Sequence, residues 1–239
     1  SAAVAQQLLR RYGLVTREVA AAESLAGGFS AIYAVLRSLE ERGRVRRGYF
    51  VSGVGAAQFA QPAALDLLRT LRADPDTPEV VHLAATDPGN PYGALLKWPD
   101  TDTPLAGGGR GPTRSVGATV ILVNGALAAF LGRRGRPLLT FLPEHEPERS
   151  MVARALATRL ALISATPGSG LVLDEINAAP ARAHALAPWL TKAGFVDAPM
   201  GFHLQRAPST NPGPRSSPDG SGLVAVAVSA GGRPRARGL

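Results

Sequence analysis

The sequence has no cysteine, which excludes disulfide frameworks, thiolate metal centres and a cysteine nucleophile. Lysine is nearly absent: 24 of the 26 basic residues are arginine. Aromatic residues make up only 5% of the chain. No apolar run approaches the ~18–20 residues that span a membrane, so no membrane partner is expected. No Gly-X-X-X-X-Gly-Lys-Ser/Thr string occurs. The glycine-rich stretch at 107–111 lacks lysine, so this chain by itself is not expected to hydrolyse ATP. Four histidines (His82, His145, His184 and His203) show no metal-ligand spacing.

What is present is arginine, unevenly placed. The 239 residues carry a net charge of +8. Residues 1–61 hold eight arginines against four acids, and the tail from Ala207 holds four arginines against one aspartate. The 145 residues between them are almost balanced, with 14 basic and 13 acidic groups. Positive charge concentrated at the ends points to phosphate contact. The length suits one or two domains. The chain opens at Ser1 directly into a helical pattern, so a segment of a longer protein is expected.

The first ~60 residues read as three helices and a hairpin. Helix one carries Val4, Leu8 and Leu9 and breaks at Gly13. Thr16 caps helix two, which ends near Glu23. Ser30 reads as the cap of helix three, in which Ile32, Val35, Leu36 and Leu39 recur at helical spacing. Gly43 ends it. Residues 44–51 read as a strand, Gly53-Val54-Gly55 as a turn, and Gln58-Phe59 as the returning strand. A hairpin behind a third helix is a winged helix-turn-helix, with helix three entering the major groove.

After a short helix at 63–72 and a polar linker at 74–78, the pattern changes to strands at 80–85, 115–123, 126–131 and 137–142. Asn124-Gly125 is a two-residue hairpin signal. The remaining elements read as a helix at 148–163, a strand at 171–176, a helix at 181–193 and a last strand at 201–205. A flexible loop is expected at 107–112. The expected fold class is α+β: a winged helix over 1–73, a small β-barrel-containing domain with flanking helices over 79–206, and a disordered basic tail over 207–239. Only Leu223–Val228 in that tail is apolar enough for a strand.

Several strings together resemble one family. They are Val15-Thr16-Arg17-Glu18, Gly27-Gly28-Phe29, Gly48-Tyr49-Phe50-Val51-Ser52-Gly53 and Gly55-Ala56-Ala57-Gln58-Phe59-Ala60, followed by Ala84-Ala85-Thr86-Asp87-Pro88-Gly89-Asn90-Pro91-Tyr92-Gly93 and Trp98-Pro99. They are similar to the last winged helix, and the segment after it, of Lhr, the bacterial large helicase-related family of superfamily 2. The similarity runs from about Ser1 to Arg206. It implies an ATP-dependent helicase core elsewhere in the protein, which would hold ATP and Mg, and a nucleoid-associated cytoplasmic place in DNA repair. It also implies a C-terminal β-barrel module resembling AlkZ-type DNA glycosylases, with uracil excision attributed to some members. Gln58-Phe59-Ala60-Gln61 departs from the AlkZ Gln-X-Gln spacing, so alkyl-base specificity is not implied. The implied partners are the helicase core of the same protein, single-stranded or junction DNA, and further copies of the chain.

On this reading Arg17, Ser30, Tyr33, Arg37, Arg44, Arg46, Arg47 and Gln58 are the DNA-binding candidates, through phosphate neutralisation and recognition-helix contacts. Tyr33 also fits a core position. A glycosylase needs a carboxylate near the anomeric carbon and a pocket for the flipped base. Asp87, at a strand end beside prolines, is the first candidate and Asp174 the second; Asn90, Tyr92 and Trp98 are base-pocket candidates. Asp87 before Pro88 also fits an ordinary turn. Two other function classes remain open: a winged-helix regulator with a ligand-sensing domain, and a protein-binding or oligomerising scaffold.

Overall fold

The computed structural model describes residues 1–55, 57–72, 75–100, 111–166 and 170–204. The tail, with Leu223–Val228, lies outside the described residues, as does most of the 107–112 loop.

The N-terminal part comprises α1 (Ala2–Tyr12), β1 (Leu14–Val15), α2 (Arg17–Ala22), α3 (Ser30–Glu41), β2 (Arg46–Gly48), β3 (Gln58–Ala60) and α4 (Pro62–Thr70). Gly13 ends α1 at φ 69°, and a Cβ there would lie 2.8 Å from the Ala64 Cβ on α4. The backbone turns through the left-handed region where only glycine also fits the packing. Thr16 caps α2 as its sequence position predicts, its hydroxyl accepting from the Glu18 and Val19 N–H groups. The three strands form an antiparallel sheet in the order β1-β3-β2. Leu8, Leu9, Val15, Val19, Ile32 and Leu36 pack around fully buried Phe59. Truncating such a phenylalanine costs about 3–5 kcal/mol.

Two local expectations are corrected. Ser30 is the first residue of α3 rather than its cap; Phe29 holds the cap position without a side-chain bond. The strand expected over 44–51 is only Arg46–Gly48. Beyond Gly48 the chain leaves the ladder: the Phe50 ring folds back over Gly48, and the Phe50 and Val51 N–H groups donate to the Gln58 side chain instead of a neighbouring strand.

The second part carries β4 (Val80–Ala84), β5 (Thr119–Val123), β6 (Ala126–Leu131), β7 (Leu138–Thr140), α5 (Glu148–Ala165), β8 (Val172–Leu173), β9 (Glu175–Ile176), β10 (Ala179–Pro180), α6 (Ala187–Lys192), β11 (Phe195–Ala198) and β12 (Gly201–Leu204). Strands β4 to β7 are an antiparallel meander within a sheet ordered β10-β9-β7-β6-β5-β4. Asn124 (φ 49°) and Gly125 (φ 80°) make the expected hairpin turn, in which both central residues need positive φ. Helix α5 packs Ala153, Leu156, Ala157 and Leu160 with Ile121, Ala129 and Leu131. A second sheet runs β11-β12-β8.

The single strand expected at 171–176 is two, split at Asp174 between the two sheets. The helix expected at 181–193 is a 3-10 turn at Ala181–Ala183 followed by α6. Extended His184 separates them, its ring Nδ1 accepting from the Leu186 N–H. Strand β11 was not expected from the sequence. Residues Ser1–Gln205 form one compact unit. Leu95, from the segment after β4, packs against the winged-helix core.

Candidate functional site

On the winged helix, α3 buries Ile32 and Leu36 and exposes Ser30, Ala34, Arg37 and Glu41, one stripe at helical spacing. Arg37 lies 3.5 Å from Glu41, so this stripe carries little free charge. Tyr33 is half-buried and packs edge-on against Phe59 at 5.8 Å, which places most of its ring in the core. Arg17 is exposed at the start of α2. Its neighbour Glu18 accepts the Gly55 N–H at 3.0 Å, tying α2 to the far end of the wing. Burial works against the Glu18 carboxylate. Hydrogen bonds from Thr16, its own N–H and the Gly55 N–H, together with the Arg17 charge, outweigh that and hold it below the usual carboxylate range.

Arg44, Arg46 and Arg47 are exposed at the base of the wing. Arg47 is ion-paired with Glu40 at 3.3 Å. Arg44 lines a hollow of about 190 Å³ with Arg10, Gln6 and Gln61. Gln58 is placed differently from a DNA contact. It is fully buried, and its amide is spent on the wing backbone, accepting from Phe50 and Val51 and donating to the Val51 carbonyl.

The second group of candidates is drawn together around a structural arginine that sequence reading missed. Arg114 donates to the carbonyls of Thr86, Asp87, Asn90 and Tyr92 at 2.7–3.2 Å. Asn90 is buried, donates to the Ala85 carbonyl and accepts from Tyr92 N–H. Tyr92 stacks on Trp98 at 6.2 Å, Trp98 meets Phe130 edge-on, and the Tyr92 hydroxyl accepts from Leu127 N–H. These side chains are engaged with their own loop and core. Asp87 Oδ1 accepts from Gly89 N–H at 2.7 Å, the geometry of an Asx turn.

Asp174 lies elsewhere, in a cavity of about 580 Å³ that it shares with Arg136, Arg182, Asp197, Met200 and Gly201. Asp174 and Arg136 are 3.1 Å apart, Asp197 and Arg182 3.2 Å. Gly201 sits at φ 110°, and a Cβ there would come within 2.5 Å of the Leu173 carbonyl, so this wall needs glycine. Asp197 had no sequence signal because β11 was not recognised. Nothing in the sequence set Arg136 or Arg182 apart from the other arginines.

Comparison with known proteins gives three findings. The family model described as "Large helicase-related protein, winged-helix domain" matches residues 1–80. The chain is 44% identical over 177 residues to the "Lhr helicase/ probable uracil glycosylase" of Mycolicibacterium smegmatis, covering 72% of this chain and 11% of that protein. It is 36% identical over 205 residues to the "Lhr helicase/uracil glycosylase" of Escherichia coli, covering 84% of this chain and 13% of that protein. The chain thus spans about an eighth of the length of these relatives.

Proposed function

Because this chain belongs to the large helicase-related family, we propose that it is the DNA-binding C-terminal part of an Lhr-type ATP-dependent helicase acting in DNA repair. The observation that carries this reading is the exposed arginine cluster at the wing base, set beside a recognition helix whose outward face is nearly neutral. Arginines at 44, 46 and 47 neutralise phosphates whatever the sequence. The Ser30–Ala34–Arg37 stripe offers few groups to read base edges, so binding is only weakly sequence-selective. That property suits a repair module and not a regulator, which needs one preferred operator. ATP and Mg belong to a helicase core outside this chain, which has no phosphate-binding loop. The test is affinity for unrelated duplexes across a salt series. Similar affinities with a steep salt slope support the reading, and one strongly preferred sequence favours the regulator.

The same reading extends to base excision at the Asp174 cavity. Its volume lies in the range of small-ligand pockets. In uracil release the C1′–N1 bond breaks, its electron pair leaves with the base, and water adds at C1′. The departing base takes up one proton. A carboxylate beside C1′ stabilises the positive charge that develops on the sugar. Asp174 supplies that charge once Arg136 turns from it to a phosphate or a base oxygen. The names of both relatives, which include uracil glycosylase, motivate the substrate. Alkali-revealed cleavage of uracil-containing single strands tests it, and inactivity of the intact chain on uracil removes this second reading.

A further inference from the structure

The turn between β6 and β7 carries three arginines in four residues: Arg133, Arg134 and Arg136. All three are exposed. Arg136 is paired with Asp174; no ion pair is found for Arg133 or Arg134 among the described residues. The turn is rigid. Gly132 N–H donates to the Pro137 carbonyl at 2.8 Å and Gly135 N–H to the Gly132 carbonyl at 2.9 Å. A Cβ on Gly132 would fall 2.1 Å from the Arg136 carbonyl oxygen, and one on Gly135 2.6 Å from Leu171. Arg134 itself holds φ 60° and ψ 28°, a left-handed conformation that glycine or asparagine would adopt more cheaply.

A cavity opens on each side of this turn. Arg134 and Gly135 line one of about 510 Å³, with His82, Gly117, Thr119 and Gly132. Arg136 lines the other, the cavity of about 580 Å³ that contains Asp174. Both volumes fall in the range that holds a small planar ligand. Cationic side chains thus stand on a stiff ridge between two hollows. That arrangement matches a nucleic-acid strand with phosphates on the ridge and unpaired bases in the hollows. A duplex keeps its bases stacked and paired, and they reach such hollows only when extruded. Glycines along the first hollow leave backbone open to a base, as a larger side chain would not.

We propose that the Arg133–Arg136 turn is a second nucleic-acid contact, selective for single-stranded DNA and separate from the winged helix. It deepens the DNA-binding reading and rests on it. The ridge holds phosphates flanking the nucleotide that enters the Asp174 cavity, so it fixes which nucleotide is presented there.

The test uses the whole chain with an oligothymidylate of about 20 nucleotides and, separately, a duplex of mixed sequence. The variants are R133Q/R134G, which removes two charges and places glycine where φ is 60°, and R44A/R46A/R47A at the wing. The ridge variant is expected to bind the single strand about tenfold more weakly, with a salt slope lower by ~0.7 per lost contact. Its duplex affinity should be nearly unchanged, while the wing variant shows the reverse preference. Unchanged single-strand binding, or equal losses on both DNAs, overturns the proposal and leaves the wing reading intact. Absence of DNA binding by the unsubstituted chain overturns both. If the ridge variant fails to fold, a bromouracil-substituted strand cross-linked to the unsubstituted chain decides. Adducts within 131–136 support the ridge, and adducts confined to residues 1–70 overturn it.

Discussion

The side-chain amide of Gln58 is clamped onto the backbone of Val51, donating to its carbonyl at 2.8 Å and accepting from its N–H at 2.9 Å. A third bond, from the Phe50 N–H at 2.9 Å, completes the set. The wing is therefore closed by a buried side chain where a longer hairpin would use its ladder. Replacing Gln58 with Ala removes three hydrogen bonds worth about 1 kcal/mol each. A loss of ~2–3 kcal/mol is expected, which lowers the thermal midpoint by roughly 4–12 °C for a unit of this size. Thermal unfolding followed by circular dichroism checks this; a midpoint within ~1 °C of the parent would show that the clamp contributes nothing.

The wing arginines are not equivalent. Arg46 has no ion pair among the described residues, whereas Arg47 already lies 3.3 Å from Glu40. Arg46→Ala is expected to flatten the salt dependence of duplex binding by ~0.9 if it makes one full phosphate contact. Arg47→Ala should flatten it less, because its charge is partly compensated. Equal slopes for Arg46→Ala and the parent would remove Arg46 from the DNA path.

Asp87 and Asp174 separate in a base-excision assay. Asp174→Asn keeps the shape of its cavity wall and removes the charge, so single-turnover uracil release should slow ~100-fold or more with DNA affinity retained. Asp87→Asn weakens the cap on Gly89 N–H and should cost ~1 kcal/mol of stability. Its effect on the rate should be only a few-fold. The opposite pattern, with Asp87→Asn slow and Asp174→Asn normal, would return the chemistry to the loop that Arg114 holds.

Glu18 makes the wing acid-sensitive. Its carboxyl titrates below the ordinary 4.5 in the folded chain. A depressed folded value means that the carboxylate contributes stability above the ordinary value and loses it as the pH falls through the folded one. Glu18→Gln should therefore be less stable than the parent at pH 7, and the difference should narrow as the pH falls below the ordinary 4.5. Urea midpoints at neutral and acid pH measure this. A difference that does not narrow in acid would show that the Glu18–Gly55 tie is no stronger when charged.

Much of the winged helix was legible because its signals are local. Gly13 and Gly43 stop helices where φ is 69° at each, and Thr16 sits where a hydroxyl caps α2. Apolar spacing marked the face of α3 that is buried. The Asn124-Gly125 turn carries its own conformational preference. Strand β11, the split at Asp174 and the break at His184 were not legible. The pieces on either side of Asp174 are too short to show a period and are held by partners distant in sequence, β12 for β8 and β7 for β9.

The sequence by itself determined the helices of the winged helix and α5, the Asn124-Gly125 turn, the placing of positive charge and the kinship, since each rests on residue type or near-neighbour spacing. The tertiary structure alone decided which candidate side chains are available. Gln58, Asn90, Tyr92 and Trp98 carry the right chemistry for DNA or a base, yet the buried amides of Gln58 and Asn90 and the Tyr92 hydroxyl bond with backbone groups, and the Trp98 ring packs against Tyr92 and Phe130. Arg136, Asp174, Arg182 and Asp197 come from four separate segments and meet at one cavity. Charge and hydrogen-bonding capacity are properties of a residue; whether they face solvent depends on what packs behind them.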